Sequence, residues 1–287
     1  MQRVLSIQSH VAFGHVGNRA AIFPLQRMGI DALAINTVEF SNHTGYGAWR
    51  GMVLPPAHIT DLVLGLEALG ALQGCDGVLS GYAGEAALGE AVLDAVRRVR
   101  AHQPRSLYCC DPVMGDVGRG FFVQPGIPEF MRDRALPAAD IATPNQFELE
   151  FLTGRRVTDL ASALAATGAA RGLGPKLVLV TSLTRSDAPA DQIEMLLDTP
   201  AGAYLTATPR LALAPAPNGA GDCVAALFLG KLLQTGDPAA ALDHATAAIH
   251  AVFAATQAAD TRELALIAAQ DQLAQPTRRF PLTQVRG

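Results

Sequence analysis

Short runs rich in Val, Ile and Leu alternate with longer amphipathic segments along most of this chain, and that alternation restricts the folds open to it. Val4–Gln8, Ala32–Asn36, Gly77–Ser80, Leu107–Asp111, Ile141–Ala142 and Leu177–Thr181 read as strands, being short, apolar and bounded by polar or turn residues. Between them, Asn18–Met28, Ile59–Leu69, Ala86–His102, Gln146–Thr153 and Leu160–Arg171 carry helical periodicity. Strand–helix alternation at this spacing predicts right-handed crossovers and a parallel sheet covered on both faces. Gln192–Asp198 and Ala203–Thr208, joined by Thr199-Pro200-Ala201-Gly202, predict an antiparallel hairpin at one edge. Asp222–Gln234, Pro238–Asp260 and Glu263–Gln272 predict a helical last third. No repeat and no low-complexity linker divides the sequence, so residues 1–287 read as a single α/β domain.

Composition narrows the function classes. Hydrophobic residues make up 49% and charged residues 17%, enough apolar material for a packed core and too much for a disordered chain. The formal net charge of −4 and the lack of any basic run beyond pairs such as Arg97-Arg98 argue against a nucleic-acid partner. No apolar stretch approaches the ~20 residues a membrane helix needs, and the start Met1–Ile7 turns polar too soon for a signal peptide. Cys75, Cys109, Cys110 and Cys223 form no Cys-x-x-Cys pair and complete no zinc spacing. A cytoplasmic protein with small buried thiols is the expectation.

In open α/β sheets, ligands bind beyond the carboxyl ends of the strands. The residues that close the expected strands are Gln8-Ser9-His10, Thr37, Ser80-Gly81-Tyr82, Asp111-Pro112, Thr143-Pro144-Asn145 and Thr181-Ser182, so one sheet edge collects the groups capable of chemistry. Four segments stand out, and each has a plain structural reading beside the functional one. Asn218-Gly219-Ala220-Gly221-Asp222 opens an apolar helix; Asp222 is either a first-turn cap or a base beside amides that hold an anion. Asp111-Pro112-Val113-Met114-Gly115-Asp116 is either a turn or a carboxylate at a strand's carboxyl end that steers Mg²⁺ or its waters. Thr143-Pro144-Asn145-Gln146-Phe147-Glu148 is a complete capping box, or the same helix start presenting Glu148 to a hydrated metal. Phe40–Gly47 is a surface loop or a flap over a polar ring. A P-loop, a Gly-x-Gly-x-x-Gly after the first strand and a Gly-x-Ser-x-Gly elbow are all absent, which removes P-loop kinases, ordinary dinucleotide folds and that hydrolase class.

Taken in order, Ile7-Gln8-Ser9-His10, Gly14-His15-Val16-Gly17-Asn18, Phe40-Ser41-Asn42-His43-Thr44-Gly45-Tyr46, Asp111–Asp116, Thr143–Glu148 and Gly219–Asp222 resemble the pyridoxal kinases of the ribokinase-like superfamily over nearly the whole chain. The resemblance implies a three-layer sandwich: a mostly parallel central sheet, helices on both faces and an antiparallel edge. It implies ATP-dependent phosphorylation of the 5′-hydroxyl of pyridoxal. Asp222 would be the general base, and Gly219, Ala220 and Gly221 the anion hole. Ser9, Thr44, Gly45 and Tyr82 would hold the ring. Asp111, Asp116, Thr143, Asn145, Glu148, Thr181 and Ser182 would organise Mg²⁺-ATP, with Asp111 and Glu148 meeting the metal through water. Thr208, Pro209, Arg210 and Leu211 would close over the nucleotide. A monovalent cation such as K⁺ and a homodimer also follow from the resemblance. Thr181 stands where some bacterial members carry Lys, which leaves charge compensation at the phosphates to metal ions. A hydroxymethylpyrimidine kinase, with the same acceptor group, and a pyridoxal or pyridoxal-phosphate binding protein of low turnover are the competing readings.

Overall fold

The computed structural model describes residues 1–287. Its elements run β1 (Arg3–Phe13), α1 (Asn18–Arg27), β2 (Asp31–Asn42), β3 (Gly51–Val53), α2 (Pro56–Ala68), β4 (Gly77–Ser80), α3 (Ala86–His102) and β5 (Leu107–Cys110). A small hairpin follows, β6 (Gly115–Asp116) and β7 (Gly120–Phe121), then α4 (Ile127–Phe130), a π turn, α5 (Leu136–Ala138) and β8 (Ile141–Ala142). The rest is α6 (Gln146–Thr153), α7 (Leu160–Gly172), β9 (Leu177–Leu183), β10 (Gln192–Thr199), β11 (Gly202–Pro209), α8 (Ala220–Thr235), α9 (Pro238–Ala258), α10 (Gln270–Ala274) and β12 (Leu282–Arg286).

Ten strands form one sheet in the order β12-β11-β10-β9-β8-β5-β4-β1-β2-β3. The stretch from β9 to β2 is parallel, and antiparallel pairing closes both edges. Alternation of side chains along each strand separates two apolar layers. Val4, Leu79, Cys109, Ile141, Leu179 and Leu197 face one way and pack with α1, α8 and α9. Their neighbours Leu5, Val78, Tyr108, Cys110 and Ala142 face the other way, toward α2 and α3, and Val178, Val180 and Leu196 pack against α7. Both faces of the central strands are therefore covered, which is why those strands read as mostly apolar runs.

Three differences from the sequence expectation matter for the site. First, β1 and β2 continue well past the core, to Phe13 and Asn42, beyond a bulge where Gln8 pairs with Asn36 but His10 with Glu39. The extra residue on β2 bends the pair into an arm whose tip carries Thr44–Tyr46. Second, Glu263–Gln272 is not one helix: α9 stops at Ala258, Asp260 adopts φ 47°, and helix resumes only at Gln270. The side chains of Arg262 and Glu263 are held by distant residues instead, and those tertiary contacts override local propensity. Third, β3 and β12 are short, polar-flanked edge strands without a periodic signal, and sequence reading passes over them.

Candidate active site

The site is built by a staircase of strand ends. The Gly81 amide donates to the Ile7 carbonyl, Asp111 to Ser80, Thr143 to Cys110 and Thr181 to Pro144, at 2.9–3.3 Å. The first three bonds each fix the first residue beyond one strand to the strand beside it, and the fourth ties Thr181 of β9 to the loop after β8, so the polar residues emerge in a row. The Thr37 hydroxyl donates to the Tyr82 carbonyl at 2.7 Å and sets that turn. Above the row lies a cleft of about 270 Å³. Ser9, Thr44, Tyr82, Asp111, Asp116, Thr143, Asn145, Glu148, Thr181, Ser182, Thr208, Gly219, Ala220, Gly221 and Asp222 all line it. Gly45, Pro209, Arg210 and Leu211 do not. Gly45 turns its carbonyl to Arg262, while the Arg210 amide and guanidinium are spent on the Asp191 and Gln192 carbonyls.

Asp222 sits in the first turn of α8, where the amides of a helix start have no carbonyl partners within the helix. Its Oδ2 accepts the Gly17 amide at 2.8 Å, and the side chain is half-buried, enclosed by protein but open to the cleft. That close fit depends on two glycines. A Cβ on Gly219 (φ 87°) would lie 1.9 Å from the His15 carbonyl oxygen, and one on Gly17 (φ 54°) 2.1 Å from that of Ser9. Both positions demand φ > 0 and backbone-to-backbone contact, which only glycine supplies. The Gly14–Asn18 motif thereby clamps the end of β1 to the start of α8.

Asp111 (3% exposed) and Glu148 (4% exposed) face the same space. Glu148 completes the capping box with Asn145: its Oε2 accepts the Asn145 amide at 2.9 Å, and its Oε1 accepts the Met114 amide at 3.0 Å. The structural and functional readings of this segment thus coexist, because the cap itself aims the carboxylate at the cleft. Burial pushes Asp222 up to about 6 and Glu148 up to about 8, and the backbone amides they accept oppose the rise. Asp111 is raised well above the usual carboxylate range by burial, and then by the negative charges of Glu148 and Asp222. No Lys, Arg or His lies within ion-pair distance of these three acids. The Oγ1 of Thr143 is buried without a hydrogen-bond partner. Two carboxylates plus an unpartnered hydroxyl are too few for an all-protein metal cage, and no three His, Cys, Asp or Glu side chains are placed to hold a metal ion between them. The set does suit Mg²⁺ bound through water and phosphate oxygens.

Sequence reading missed part of the lining. Arg119 is the only Arg or Lys on the cleft wall. It stands at the turn of the β6–β7 hairpin, 5.0 Å over the Phe122 ring, with Asn218 Oδ1 at 3.4 Å from its Nη1. Gly118 and Gly120, at φ 81° and 68°, were the available signal for that turn. At the β10 end, Ile193, Met195, Ile249 and Phe253 form an apolar wall. It is assembled from separate elements, so no local motif announces it.

Comparison with known proteins identifies the family. Residues 68–264 match the family model described as phosphomethylpyrimidine kinase. The chain is 56% identical to pyridoxal kinase PdxY of Rubrobacter xylanophilus, covering 98% of this chain and 97% of that one. It is 53% identical to pyridoxal kinase PdxY of Deinococcus radiodurans, covering 99% and 97%. A structure of pyridoxal kinase from Leishmania donovani in complex with ADP and pyridoxamine superposes with a TM-score of 0.90 at 33% identity, covering 99% of each chain. With the motif order, the sheet topology and a cleft lined by the acids those motifs supply, the chain belongs to the pyridoxal kinase family.

Proposed function

We propose that this enzyme transfers the γ-phosphoryl group of ATP to the 5′-hydroxyl of pyridoxal, with Asp222 as the base for that hydroxyl. One observation carries the assignment of roles: Asp222, Ser9 and Asp111 line one cleft, with the carboxylate of Asp222 beside the amides of a helix start. Phosphoryl transfer asks a protein for positioning and for stabilisation of negative charge more than for covalent chemistry. Ser9, Thr44 and Tyr82 form the end of the cleft suited to a polar ring. The first-turn amides of Gly219–Asp222 are suited to the migrating phosphoryl group. Asp222, raised to about 6, is ionised at neutral pH and able to accept the hydroxyl proton as the bond to phosphorus forms.

Asp111 and Glu148 would hold Mg²⁺ through water beside the nucleotide, and the ion would neutralise charge on the phosphate oxygens. Arg119 adds the one fixed positive charge on the cleft wall, which compensates in part for Thr181 standing where a lysine would serve. The apolar wall of Ile193, Met195, Ile249 and Phe253 suits an adenine, beside Thr208. A homodimer fits the exposed apolar side chains of Phe13, Trp49 and Met52 around the arm. A reducing cytoplasm fits four free, buried cysteines, and no helix is long and apolar enough to cross a membrane.

The test is the steady-state rate of 5′-phosphate formation from pyridoxal, pyridoxine, pyridoxamine and hydroxymethylpyrimidine with Mg²⁺-ATP. Pyridoxal is expected to give the highest kcat/KM. A faster pyrimidine alcohol, or tight product retention without turnover, overturns the reading.

A further inference from the structure

Arg262 and Glu263 lie outside the cleft, in the connection after α9, yet three directed contacts tie them to the tip of the arm. The Arg262 guanidinium donates to the Gly45 carbonyl at 2.6 Å and lies over the Tyr46 ring, its central carbon 4.0 Å from the centroid. The Tyr46 hydroxyl donates to Glu263 Oε1 at 2.6 Å. The other oxygen, Glu263 Oε2, accepts the His15 amide at 3.0 Å. One carboxylate therefore joins two loops of different purpose: the Thr44–Tyr46 turn at the arm tip, and the Gly14–Gly17 segment whose last amide holds Asp222. The joint at Gly14 is tight: a Cβ there would lie 2.3 Å from Glu263 Oε2.

The anchor is rigid where it needs to be. Leu264 and Leu266, immediately after the pair, are 1% and 0% exposed, and the Ala265 amide donates to Thr256 Oγ1 at 2.9 Å. The arm tip has no such core: Thr44, Gly45 and Tyr46 are all at least partly exposed, and apart from the Arg262, Glu263 and Phe13 contacts only local turn bonds to His43 and Thr44 hold their shape. An unanchored tip of this kind opens readily.

We infer that Arg262 and Glu263 are positioning residues that latch the Thr44–Tyr46 turn over the acceptor end of the cleft and couple its closure to the segment that seats Asp222. This rests on the assignment of that end to the acceptor alcohol. The latch raises affinity for the acceptor and leaves the nucleotide end untouched.

Four variants test it: Arg262→Ala, Arg262→Lys, Tyr46→Phe and Glu263→Gln, with the Tyr46→Phe/Glu263→Gln double variant. KM for pyridoxal is expected to rise about tenfold in Arg262→Ala and Glu263→Gln, the change one lost charge-assisted hydrogen bond brings. KM for ATP is expected to stay within about twofold, since those contacts are elsewhere in the cleft. Arg262→Lys is expected to recover part of the loss by keeping a donor for the Gly45 carbonyl. The double variant is expected to be no worse than its worse single parent, as for two ends of one bond. Backbone hydrogen exchange at residues 43–47 is expected to quicken in the single variants without substrate present. Parallel rises in both KM values, multiplying effects in the double variant, or unchanged exchange would each overturn the latch. Failure of the wild-type enzyme to phosphorylate pyridoxal would instead overturn the functional assignment, while the exchange result would still judge the latch.

Discussion

Asp198 and Asp111 are both buried carboxylates, 0% and 3% exposed, but the fold surrounds them differently. Asp198, on β10, is met by Arg286 from β12 through two bonds at 2.7 and 3.1 Å, by Arg171 from α7 at 3.1 Å and by the Thr167 hydroxyl at 2.8 Å. Glu194 on the same strand is gripped by Arg185 at 2.6 and 2.9 Å. The antiparallel part of the sheet thus satisfies its buried charge internally. In the cleft, the negative charges of Glu148 and Asp222 raise the proton affinity of Asp111; Glu148 and Asp222 accept backbone amides, and none of the three meets a cation. Burying a charge without its counter-charge is costly. Such groups cluster at functional sites, so the contrast supports the proposal that metal and phosphate supply the missing charge in the cleft.

Matched substitutions in the two regions should therefore fail in opposite ways. Asp222→Asn keeps an acceptor for the Gly17 amide but removes the base. Its kcat is expected to fall by about 10²–10⁴, with a thermal midpoint equal to or above that of the parent. Near-normal turnover in this variant would remove Asp222 from the chemistry. Asp198→Asn leaves two guanidiniums facing no acid. Breaking a buried pair costs about 3–5 kcal/mol, and the low end is expected here because Arg171 and Arg286 remain 23% and 36% exposed. Denaturant unfolding should show that loss while kcat at low temperature stays unchanged. A stable, inactive Asp198→Asn would erase the distinction between the regions.

The same contrast explains what could be read from the sequence. The helices Ala86–His102 and Gln146–Thr153 and the strands Gly77–Ser80 and Ile141–Ala142 fall where local pattern puts them, since buried parallel strands and amphipathic helices carry their signal in consecutive residues. The acids of the cleft were legible because each follows a strand or opens a helix, and the topology of a parallel sheet brings all such points to one edge. Arg119, the wall of Ile193, Met195, Ile249 and Phe253, and the Arg262–Glu263 contacts were not. They depend on which surface each residue meets after folding, and Glu263–Gln272 shows the cost of trusting periodicity alone: an apolar pattern that looks helical is broken by contacts with residues 14–46. The role-bearing glycines fall between these cases. Gly17 and Gly219 announce tight turns in sequence, but their mutual packing through Ser9 and His15 is visible only in three dimensions.

Proton linkage gives a third, smaller separation. Asp222 and Glu148 have folded values of about 6 and about 8, above their usual values. A carboxyl raised in this way adds stability below its unfolded value, and that stability is lost as pH climbs through the folded value. The metal-free protein is accordingly expected to lose stability between about pH 4 and pH 8 from these groups, where an enzyme whose buried acids were all paired with arginine would gain it. Mg²⁺ favours the ionised carboxylates, so a fixed concentration of MgCl₂ should raise the thermal midpoint more at pH 8 than at pH 6. Equal shifts at the two pH values would separate the acids from the metal. In the assay, kcat/KM should fall about tenfold per unit below pH 6 as Asp222 takes up its proton, and EDTA should abolish turnover.

The mildest test uses one local device that the chain employs twice. Asn145 caps α6 with Glu148 as its reciprocal partner, and Asp159 caps α7 with Ser162 in the same arrangement, the side chain accepting the third amide at 2.9 and 2.8 Å. The first box lines the cleft and the second does not. Asp159→Ala removes a cap away from the cleft, so its midpoint is expected to drop by roughly 2 °C with KM for ATP unchanged. Asn145→Ala removes a comparable cap and also the bond from Nδ2 to the Gly115 carbonyl at 2.8 Å, which ties α6 to the β6–β7 hairpin. Its midpoint should fall by a similar amount, but KM for ATP should rise several-fold, because Glu148 and Arg119 lose their common brace. If the two variants behave alike in the assay, the box at Asn145 is a helix start and no more, and the nucleotide end of the cleft must be organised by Asp111 and the strand ends alone.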